Sequence, residues 1–459
     1  NEATYSYALE TIEIHGANVK VWKTSVTDAK GNISFSYTNA KGQTIKTSPP
    51  TGSGPSVLYT YDLLGRLTQT DYGNSVTTIN YNPAGQKTHM VDPDMGTWDY
   101  TYDAQGNLLT QTTQRDLQPP VTITTTLTYD NLNRLLTKSF SDGTPTVSYT
   151  YDANGNIGHR TGMTDGTGST SWIYDARGRL TTETKTIAGQ IFTTSYTYDS
   201  ADQMTSMTYP SGESVIITHL PQGGVYQVGG YLNGTKVDAY GRISQRNFGN
   251  GTHTALTYQD WLTDAGRLGT IQSGANGNLV NLSFTYDRVG NMLTLTDHLN
   301  SNQKQTFTYD ALNRLKTAAT NGLGQGHYNQ SYEYDPVTGN LSNKSDVGGY
   351  SYSQTQPHAV TGAGTNSYTY DRNGNMKTRT VAEKLWTYSY NAEGKITAVR
   401  KDGQLISEYG YDGDGNRVWA KDYEGYQASY PGTTLYVGNY YELVSDGRPP
   451  EQGTASVCT

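Results

Sequence analysis

The sequence contains a single cysteine, Cys458, among its 459 residues. A disulfide within the chain is therefore excluded, and stability has to come from backbone hydrogen bonds and side-chain packing. No histidine or basic residue stands immediately beside Cys458, so a reactive thiol at this position is disfavoured. Long apolar runs are also missing: none approaches the roughly 18 residues of a membrane-spanning helix, which predicts that the chain has no membrane span.

Positive charge is scarce. The chain has 33 basic and 41 acidic residues, and its formal net charge is −8 at pH 7. This balance argues against a surface for nucleic acid or for anionic membranes. What the chain has in quantity is tyrosine, with 39 residues. Because disordered chains are poor in aromatic residues, we predict a folded protein in which tyrosine replaces much of the usual aliphatic core.

Catalytic and metal-binding motifs are missing as well. The sequence has neither a Gly-x-Ser-x-Gly nucleophile turn nor a Gly-x-x-x-x-Gly-Lys phosphate loop. Asp92 and Asp94 form a close acidic pair, but Pro93 and Gly96 beside them favour a turn. We therefore predict that the chain is not an enzyme and needs no cofactor or metal. The eight histidines, which lack metal-ligand spacing, are His15, His89, His159, His219, His253, His298, His327 and His358.

One stretch, Tyr-Thr-Tyr-Asp-Ala-Asn-Gly-Asn-Ile starting at Tyr149, contains the pattern that recurs along most of the chain. Tyr149 and Tyr151 are two residues apart, so on a β-strand they share one face. Asp152 stands where a type I turn favours a side-chain acceptor, and Gly155 stands where the backbone tends toward positive φ. Ile157 is then expected to return the chain to an apolar face. The stretch therefore predicts a strand, a tight turn and a second strand.

The Tyr-Asp pair recurs at related spacings. Several neighbouring copies, counting the near copy Tyr81-Asn82, lie 20 to 23 residues apart, and a period in the low twenties is the signature of a repeat architecture. Two strands of about five or six residues and two turns fit this period. A helix could not hold so many Gly, Thr and Tyr residues in phase with turns. The pair begins at Tyr61, Tyr102, Tyr129, Tyr151, Tyr174, Tyr198, Tyr286, Tyr309, Tyr334, Tyr370 and Tyr411.

Three positions of the repeat are candidate site residues, and we interpret all three as structural. The Tyr ends a strand, the Asp accepts hydrogen bonds in the turn, and the Gly supplies positive φ. Where the Gly is replaced, Asn133, Asp202 and Asn313 are residue types that tolerate the left-handed region. The positions are Tyr61, Asp62, Gly65, Tyr102, Asp103, Gly106, Tyr151, Asp152, Gly155, Tyr174, Asp175, Gly178, Tyr286, Asp287, Gly290, Tyr370, Asp371 and Gly374.

Two ligand-binding alternatives stay open beside this structural interpretation. Stretches such as Asp152-Ala-Asn154-Gly-Asn156 resemble the start of a calcium loop, but the Gly at the sixth position and the Glu at the twelfth are missing. Turn chemistry is therefore favoured over calcium. Exposed aromatic rings could stack on sugars, although packing within the sheet is favoured. The tryptophans considered for sugar stacking are Trp98, Trp172, Trp261, Trp386 and Trp419.

The pattern divides the chain into five segments. Residues 1–58 are lead-in strands and a degenerate first repeat, and residues 59–204 and 284–422 are regular repeats. Residues 205–283 lose the Tyr-Asp pair, yet Asp238-Ala-Tyr-Gly241-Arg242-Ile243 keeps the turn pattern, so we interpret them as decayed repeats. Residues 423–459 are expected to form a C-terminal hairpin and an irregular tail. Because the chain begins at Asn1 without an initiator Met, it is expected to be processed or a fragment of something longer.

The unit Tyr61-Asp62-Leu-Leu-Gly65-Arg66-Leu67 resembles the YD-repeat, or Rhs-repeat, family. The resemblance extends over roughly residues 33 to 444. The family includes bacterial Rhs and wall-associated proteins, the shell subunits of toxin complexes, and teneurins. The resemblance implies a β-sheet ribbon that spirals into a hollow shell, which in some members encloses a toxin and in others belongs to a cell-surface adhesion protein.

These arguments predict an all-β fold of repeated antiparallel β-hairpins forming a spiralling β-ribbon, as a shell, a tube or an open solenoid. The predicted function is a non-enzymatic, secreted or cell-surface scaffold that encloses or displays a polypeptide. The alternative is a self-assembling extracellular fibre or adhesin subunit that binds carbohydrate. The expected partners are further copies of the chain or an adjoining polypeptide that continues the sheet, with surface glycans as an additional candidate and nucleic acid excluded.

Overall fold

The computed structural model describes residues 3–14, 16–117, 119–322, 326–427, 430–445 and 455–458. Within these residues the chain forms 41 β-strands, one four-residue α-helix and two 3₁₀ turns. The predicted all-β fold of repeated antiparallel hairpins is therefore confirmed.

The strands follow one another in chain order with short connections. The first twenty are β1 (Thr4–Ile14), β2 (Ala17–Thr27), β3 (Ile33–Thr38), β4 (Thr44–Ser48), β5 (Val57–Tyr61), β6 (Leu67–Tyr72), β7 (Ser75–Tyr81), β8 (Lys87–Asp92), β9 (Gly96–Tyr102), β10 (Leu108–Leu117), β11 (Pro120–Tyr129), β12 (Leu135–Phe140), β13 (Val147–Tyr151), β14 (Arg160–Asp165), β15 (Gly168–Tyr174), β16 (Leu180–Ile187), β17 (Gln190–Tyr198), β18 (Met204–Thr208), β19 (Ser214–His219) and β20 (Val225–Val228).

The remaining elements continue the series. The strands are β21 (Leu232–Val237), β22 (Ile243–Phe248), β23 (His253–Tyr258), β24 (Leu268–Ser273), β25 (Val280–Tyr286), β26 (Met292–Asp297), β27 (Gln303–Tyr309), β28 (Leu315–Thr320), β29 (Asn329–Tyr334), β30 (Leu341–Lys344), β31 (Gly348–Tyr352), β32 (Val360–Ala363), β33 (Asn366–Tyr370), β34 (Met376–Val381), β35 (Lys384–Tyr390), β36 (Ile396–Lys401), β37 (Gln404–Tyr411), β38 (Arg417–Gln427), β39 (Tyr430–Val437), β40 (Tyr441–Ser445) and β41 (Ala455–Cys458). The helix α1 spans Trp261–Asp264, and the 3₁₀ turns span Ala153–Gly155 and Ala275–Gly277.

Many hairpins share one turn, which we call a corner: a Tyr that ends a strand and the five residues that follow it. In the pair β15–β16, Trp172 lies opposite Glu183 and Tyr174 lies opposite Leu180, with a β-bulge between Ile173 and Tyr174. A bulge recurs at the strand-ending Tyr of the other regular corners. The combination of a type I turn, a left-handed residue and a bulge is a common way to close a short hairpin.

The fourth residue after the Tyr of a corner has positive φ, as the residue types at this position predict. Gly65 has φ of 86°, and Gly106 has φ of 95°. Asn133, Asp202 and Asn313 replace the Gly and have φ of 61°, 63° and 61°. Their side chains are among those that tolerate this region best, so the prediction for these three residues is confirmed.

The chain divides into two compact units. Unit 1 comprises Asn1–Asn80, Val91–Asp94 and Gly230–Gly364, and unit 2 comprises Tyr81–Met90, Met95–Gly229 and Thr365–Thr459.

Within unit 1, late segments of the chain contact early ones. Lys30 Nζ lies 3.3 Å from Asp287 Oδ2. Arg314 Nη2 donates a hydrogen bond of 2.7 Å to the carbonyl of Ser53. These contacts join parts of the chain that are more than 200 residues apart, so unit 1 is stabilised by more than its consecutive hairpins.

Unit 2 contains two buried hydrophobic clusters. Val147, Tyr149, Met163 and Trp172 form the first, on neighbouring strands β13 to β15. The second joins strands β16 and β17 to strands β38 to β40, and so packs residues far apart in sequence against one another. Its buried members are Ile187, Phe192, Val418, Leu435, Val437 and Tyr441.

The stretch starting at Tyr149, from which the repeat was defined, departs from the regular corner. Thr150 is exposed between two less exposed tyrosines, so Tyr149 and Tyr151 do share a face. The backbone N–H of Asp152, however, donates to His159, seven residues on, instead of the fourth residue on. The turn is therefore three residues longer and contains the 3₁₀ turn. Ile157 lies within it and is 83% exposed, so its expected return to an apolar face is wrong.

Two further expectations about connections are changed by the structure. Within residues 205–283, which the sequence predicts to be decayed repeats, the connection before Arg267 is not a simple turn, because the Asp260 side chain accepts hydrogen bonds from the N–H groups of Leu262 and Thr263 and caps helix α1. At the C-terminus, the expected hairpin is β39 and β40, and β41 then pairs with β40 instead of being irregular. The irregular tail expected from Gly447 onward otherwise lies outside the described residues.

Candidate functional site

The aspartate of each corner satisfies the backbone of its own turn. In the corner that begins at Tyr174, Asp175 Oδ1 accepts hydrogen bonds from the N–H groups of Arg177 at 2.9 Å and Arg179 at 3.0 Å. Asp175 Oδ2 accepts one from Arg179 Nε at 2.7 Å. The Gly178 N–H donates to the carbonyl of Asp175. The carboxylate therefore fixes the turn that lets one strand reverse into the next.

The fourth residue after the aspartate is part of the same arrangement, and the sequence interpretation did not assign it a role. An Arg or an Asn at this position donates its side-chain N–H to the second carboxylate oxygen. The available signal was the recurrence of Arg or Asn four residues after the Asp. The pairs are Asp62–Arg66, Asp130–Arg134, Asp238–Arg242 and Asp310–Arg314, and with Asn, Asp103–Asn107, Asp287–Asn291 and Asp371–Asn375.

The tyrosine of many corners donates its hydroxyl to the strand that follows the preceding corner. Tyr102 ends β9, and its Oη donates to the carbonyl of Lys87, the first residue of β8, at 2.8 Å. The same bond to the first residue of the strand after the previous turn recurs in both units. The further donors are Tyr61, Tyr129, Tyr151, Tyr174, Tyr198, Tyr258, Tyr309, Tyr334, Tyr352, Tyr390 and Tyr411. This hydroxyl ladder explains why the repeat carries Tyr and not Phe.

The corner arginines reach in the opposite direction, to the next corner. Arg179 Nη1 donates to the carbonyl of Asp199 at 2.7 Å, and its guanidinium lies 4.9 Å from the ring centre of Tyr198. Arg134 lies 4.4 Å from the ring of Tyr151 and donates to Asp152 at 3.0 Å. Each such arginine therefore combines charged hydrogen bonds with a cation–π contact. In the corners that begin at Tyr129 and Tyr174, tyrosine and arginine together therefore link the corner to its neighbours on both sides.

The remaining predicted site residues occupy equivalent positions. Tyr286 ends β25 and Tyr370 ends β33. Asp287 and Asp371 each accept N–H groups of their own turns. Gly155, Gly178, Gly290 and Gly374 all have positive φ, between 77° and 107°.

The ionisation of the corner groups follows from these contacts. The hydrogen bond from the Arg179 side chain is the main cause that lowers the pKa of Asp175, and the Asn107 side chain does the same to the pKa of Asp103. Burial raises the pKa of Tyr102 and Tyr174. Burial also raises the pKa of Tyr390 to about 12. At neutral pH these aspartates are therefore charged and these tyrosines are protonated.

Replacing one ladder tyrosine isolates the contribution of its hydroxyl. We expect Tyr102→Phe to lower the free energy of unfolding by about 1–3 kcal/mol, because the half-buried carbonyl of Lys87 loses its donor. Urea unfolding followed by circular dichroism measures the change. The matched control is Tyr7→Phe, where the side chain is 72% exposed, and it should have no measurable effect. Equal effects of the two substitutions would contradict the hydroxyl ladder.

Three late corners of unit 2 dock onto its earlier strands, and we call this contact the seam. Its members are the corners Asp371–Asn375, Asn391–Lys395 and Asp412–Asn416, and strands β10 to β16. The carbonyl of Gly413 accepts hydrogen bonds from Tyr149 at 3.1 Å and Lys138 at 3.0 Å, and its N–H donates to Asp165 at 2.8 Å. A Cβ at this position would meet Val147 and Met163, so glycine allows the close approach.

Ion pairs reinforce the seam. Arg160 forms a two-pronged pair with Asp414, with distances of 2.8 and 2.6 Å. Lys185 Nζ lies 3.4 Å from Asp412 Oδ2, and these side chains are only 9% and 4% exposed. The hydrogen bond from the Arg160 side chain is the main cause that lowers the pKa of Asp414.

The five tryptophans considered for sugar stacking lie in different environments. Trp172 is buried in a hydrophobic cluster, and Trp419 packs against the other cluster. Trp261 stacks on Tyr240 with ring centres 5.5 Å apart. Arg379 lies 4.6 Å from the ring centre of Trp386. Trp98 lines a cavity of about 440 Å³.

The described part of the chain contains no group of three or more His, Cys, Asp or Glu side chains placed to hold a metal ion. The carboxylates of the stretches that resemble calcium loops accept N–H groups of their own turns instead, as at Asp152 and Asp371. Among the described helices, none has the length and apolar character needed to cross a membrane. The side chains of His15 and Cys458 lie outside the described residues.

The geometry defines a class of protein: a β-sheet repeat whose polar side chains link successive hairpin corners. The family model of the Teneurin YD-shell matches residues 11–157 and 270–430, and that of the RHS repeat matches residues 151–191 and 174–214. The chain belongs to the Teneurin YD-shell family, which confirms the resemblance inferred from the Tyr-Asp pattern.

Curated relatives match part of the chain. The tRNA3(Ser)-specific nuclease WapA of Bacillus spizizenii is 29% identical, and the tRNA nuclease WapA of Bacillus subtilis is 30% identical. Each match covers 44% of this chain and 10% of the relative. The chain therefore spans about a tenth of the length of these relatives.

Solved structures show the same fold. The crystal structure of TcdB2-TccC3-TEV superposes with a TM-score of 0.72 at 16% identity, over 96% of this chain and 27% of that chain. The Photorhabdus luminescens Tc holotoxin pore superposes with a TM-score of 0.73 at 16% identity, with the same coverage. The chain spans about a quarter of the length of these proteins.

Proposed function

We propose that the chain is a non-enzymatic wall segment of a secreted or cell-surface scaffold, in which the β-ribbon spirals around or displays another polypeptide. The observation that carries the proposal is the linkage between corners. The hydroxyl ladder and the corner arginines use the most regular polar groups of the sequence to hold one hairpin to the next. Such nearest-neighbour cohesion is what an extended wall requires.

Membership of the Teneurin YD-shell family and the fold shared with toxin-complex proteins support this function. Because the chain spans about a quarter of those proteins, we propose that an adjoining polypeptide continues its sheet. The nuclease activity named for the WapA proteins is then a property of parts outside the matched tenth. We also propose that residues 205–283 are diverged repeats, supported by the turn from Asp238 to Arg242, which has the hydrogen bonds of a corner although Val237 replaces its Tyr.

A second candidate, a self-assembling fibre or adhesin subunit, is favoured by the first hairpin. Strand β1 pairs with β2 through eleven residue pairs. Tyr5, Tyr7 and Leu9 on β1 are largely exposed. An exposed apolar strand of this length can accept a strand from another copy of the chain.

Size and activity measurements test the two candidates together. For the scaffold, we expect one discrete species in size-exclusion chromatography with light scattering at every concentration, and compact particles in negative-stain images. Ladders of oligomers or fibres that grow with concentration would favour the second candidate. Incubation of the purified chain with total tRNA should leave the tRNA intact. Cleavage of the tRNA would contradict the non-enzymatic part of the proposal.

A further inference from the structure

An open cavity of about 380 Å³ lies on strands β34 to β38 of unit 2. Arg379 of β34 and Arg417 of β38 line its two sides. Its volume falls within the range of about 300–1,000 Å³ that is usual for binding sites. We call it the Arg379 cavity. The strands between the arginines contribute mainly apolar and aromatic side chains, which are Trp386, Tyr388, Ile396, Val399, Ile406, Ser407, Tyr409 and Tyr411.

The strand register places both arginines on one face of the sheet. Directly opposite residues on paired strands share a face, and so do residues two apart on one strand. Both guanidinium groups therefore belong to the same side of the sheet, with the aromatic rings between them. The opposite pairs that connect the two arginines are Arg379–Trp386, Tyr388–Val399, Val399–Ser407 and Tyr411–Arg417.

Both arginines stack on aromatic rings but lack the acceptor that such arginines have elsewhere in the chain. The guanidinium of Arg379 lies 4.6 Å from the ring centre of Trp386, and that of Arg417 lies 4.7 Å from the ring centre of Tyr436. Among the described residues, neither arginine has a carboxylate oxygen within 4.0 Å or donates to a backbone carbonyl. Stacked arginines that do bind a carboxylate or a carbonyl are Arg134, Arg160, Arg179, Arg242, Arg267 and Arg314.

The acidic groups around the Arg379 cavity leave its positive charge uncompensated. None of the described residues that line the cavity is Asp or Glu. Glu424 pairs with Lys401 at 2.8 Å, and Asp422 accepts the N–H of Glu424 at 3.0 Å. Glu442 is on β40, two strands beyond Arg417 and away from the cavity. The lining therefore has two cations and favours an anionic ligand, since a guanidinium forms its strongest hydrogen bonds with carboxylates and phosphates.

The distance between the arginines selects among anions. Arg379 contacts Trp386 and so leans over β35, three strands from Arg417, which corresponds to about 14 Å at roughly 4.8 Å per strand. An extended peptide rises about 3.3 Å per residue, so side chains four residues apart share a face and lie about 13 Å apart. Two carboxylates at this spacing match the two arginines. A side chain midway between them shares their face and meets the aromatic floor.

We propose that the Arg379 cavity binds an extended acidic peptide segment with two carboxylate side chains four residues apart and an apolar side chain midway between them. This assignment rests on the proposed scaffold function, because it names the chemistry of the polypeptide that the scaffold holds. A phosphate-rich polyanion would also attract the arginines, but it has no apolar group for the rings of Trp386 and Tyr409. The experiment separates the two.

Saturation-transfer-difference NMR titrations on the full chain test the site. The probes are N-acetyl-Glu-Ala-Leu-Ala-Glu-amide, its counterpart N-acetyl-Gln-Ala-Leu-Ala-Gln-amide and inositol hexakisphosphate. We expect the acidic peptide to bind at least tenfold more tightly than either of the other probes. Arg379→Gln and Arg417→Gln should each weaken its binding about tenfold or more, because each removes a charged hydrogen-bond partner. Arg417 is exposed and its substitution should leave the fold intact, which circular dichroism verifies.

The matched control is Arg400→Gln, which removes the same charge from the same group of strands. Arg400 lies opposite Thr387 and next to Val399, so its side chain belongs to the other face of the sheet. This substitution should leave peptide binding unchanged. Failure of the acidic peptide to bind, equal binding of the Gln peptide, tighter binding of the hexakisphosphate, or an equal loss in Arg400→Gln would overturn the proposal.

The outcome is distinguishable from that of the scaffold function. Discrete particles that do not bind the acidic peptide would overturn the peptide site alone. Fibres that grow with concentration would overturn the scaffold function, whether or not the peptide binds.

Discussion

Replacing Lys185 by methionine should lower the free energy of unfolding of unit 2 by about 3–5 kcal/mol. Lys185 and Asp412 form a pair that is almost fully buried, 227 residues apart in sequence. Methionine is unbranched and only one atom shorter than lysine, but it leaves the Asp412 carboxylate buried without its cation. The cost of that uncompensated charge, rather than the lost attraction, makes the effect large.

Urea unfolding followed by circular dichroism and tryptophan fluorescence measures the loss. Lys384→Met is the matched control, because Lys384 and Asp402 form a pair of 3.1 Å whose side chains are 57% and 45% exposed. Exposed pairs contribute about 0–1 kcal/mol, so the control should remain close to the parent protein. If the two substitutions destabilise the chain equally, the seam does not depend on the buried pair.

Raising the pH above 10 should unfold the chain cooperatively. The pKa of an unperturbed tyrosine is about 10, and burial raises the pKa of Tyr149 and Tyr390 to about 12. Between these values the folded state keeps protons that the unfolded state has lost. Stability is therefore fully present below pH 10 and is lost as the pH rises through the pKa of the folded groups. A phenolate cannot donate to a carbonyl, so ionisation of Tyr390 also removes one bond of the hydroxyl ladder, and ionisation of Tyr149 removes its bond to Gly413.

The expected result is a steep transition in which tyrosinate absorbance and loss of β-sheet circular dichroism occur together, above the titration of N-acetyl-tyrosinamide. The chain unfolded in urea is the second control, and its tyrosines should titrate gradually around pH 10. A gradual titration of all tyrosines with the β-sheet signal intact to about pH 12 would contradict the ladder.

The corners were predictable because the residues that build them are close in sequence. Asp62 and Arg66 are four residues apart, and Tyr61 immediately precedes them. The preferences of Asp, Gly and Asn for turns act over the same short range, so the pattern predicts the hairpin. The hydrogen bond from Tyr61 to the carbonyl of Thr44 was harder to predict from the sequence, because the hydrophobic pattern alone does not distinguish Tyr from Phe.

The seam was not predictable from local pattern. Lys185 and Asp412 look like an ordinary strand lysine and an ordinary corner aspartate until the fold brings them together. The corner at Asp152 shows that a local match to the repeat does not always give the repeat's structure. Its sequence matches the repeat closely, yet Gly158 and His159 extend the loop, and the strand begins only at Arg160. At Asp152 the backbone N–H donates to the carbonyl of His159 instead of to the fourth residue after the aspartate, and the local sequence does not show which of these two bonds forms.

The seam restricts how the gene can change in length. Duplication of one repeat between Lys185 and Gly229 would preserve the geometry of every corner, because each corner is built from its own residues and its immediate neighbours. It would nevertheless displace Gly413 and Asp412 by one hairpin relative to Tyr149 and Lys185, their partners across unit 2. Repeats should therefore be gained or lost in compensating sets, or outside the segment between these partners. The number of repeats in that segment is fixed by the need to keep Gly413 and Asp412 opposite Tyr149 and Lys185.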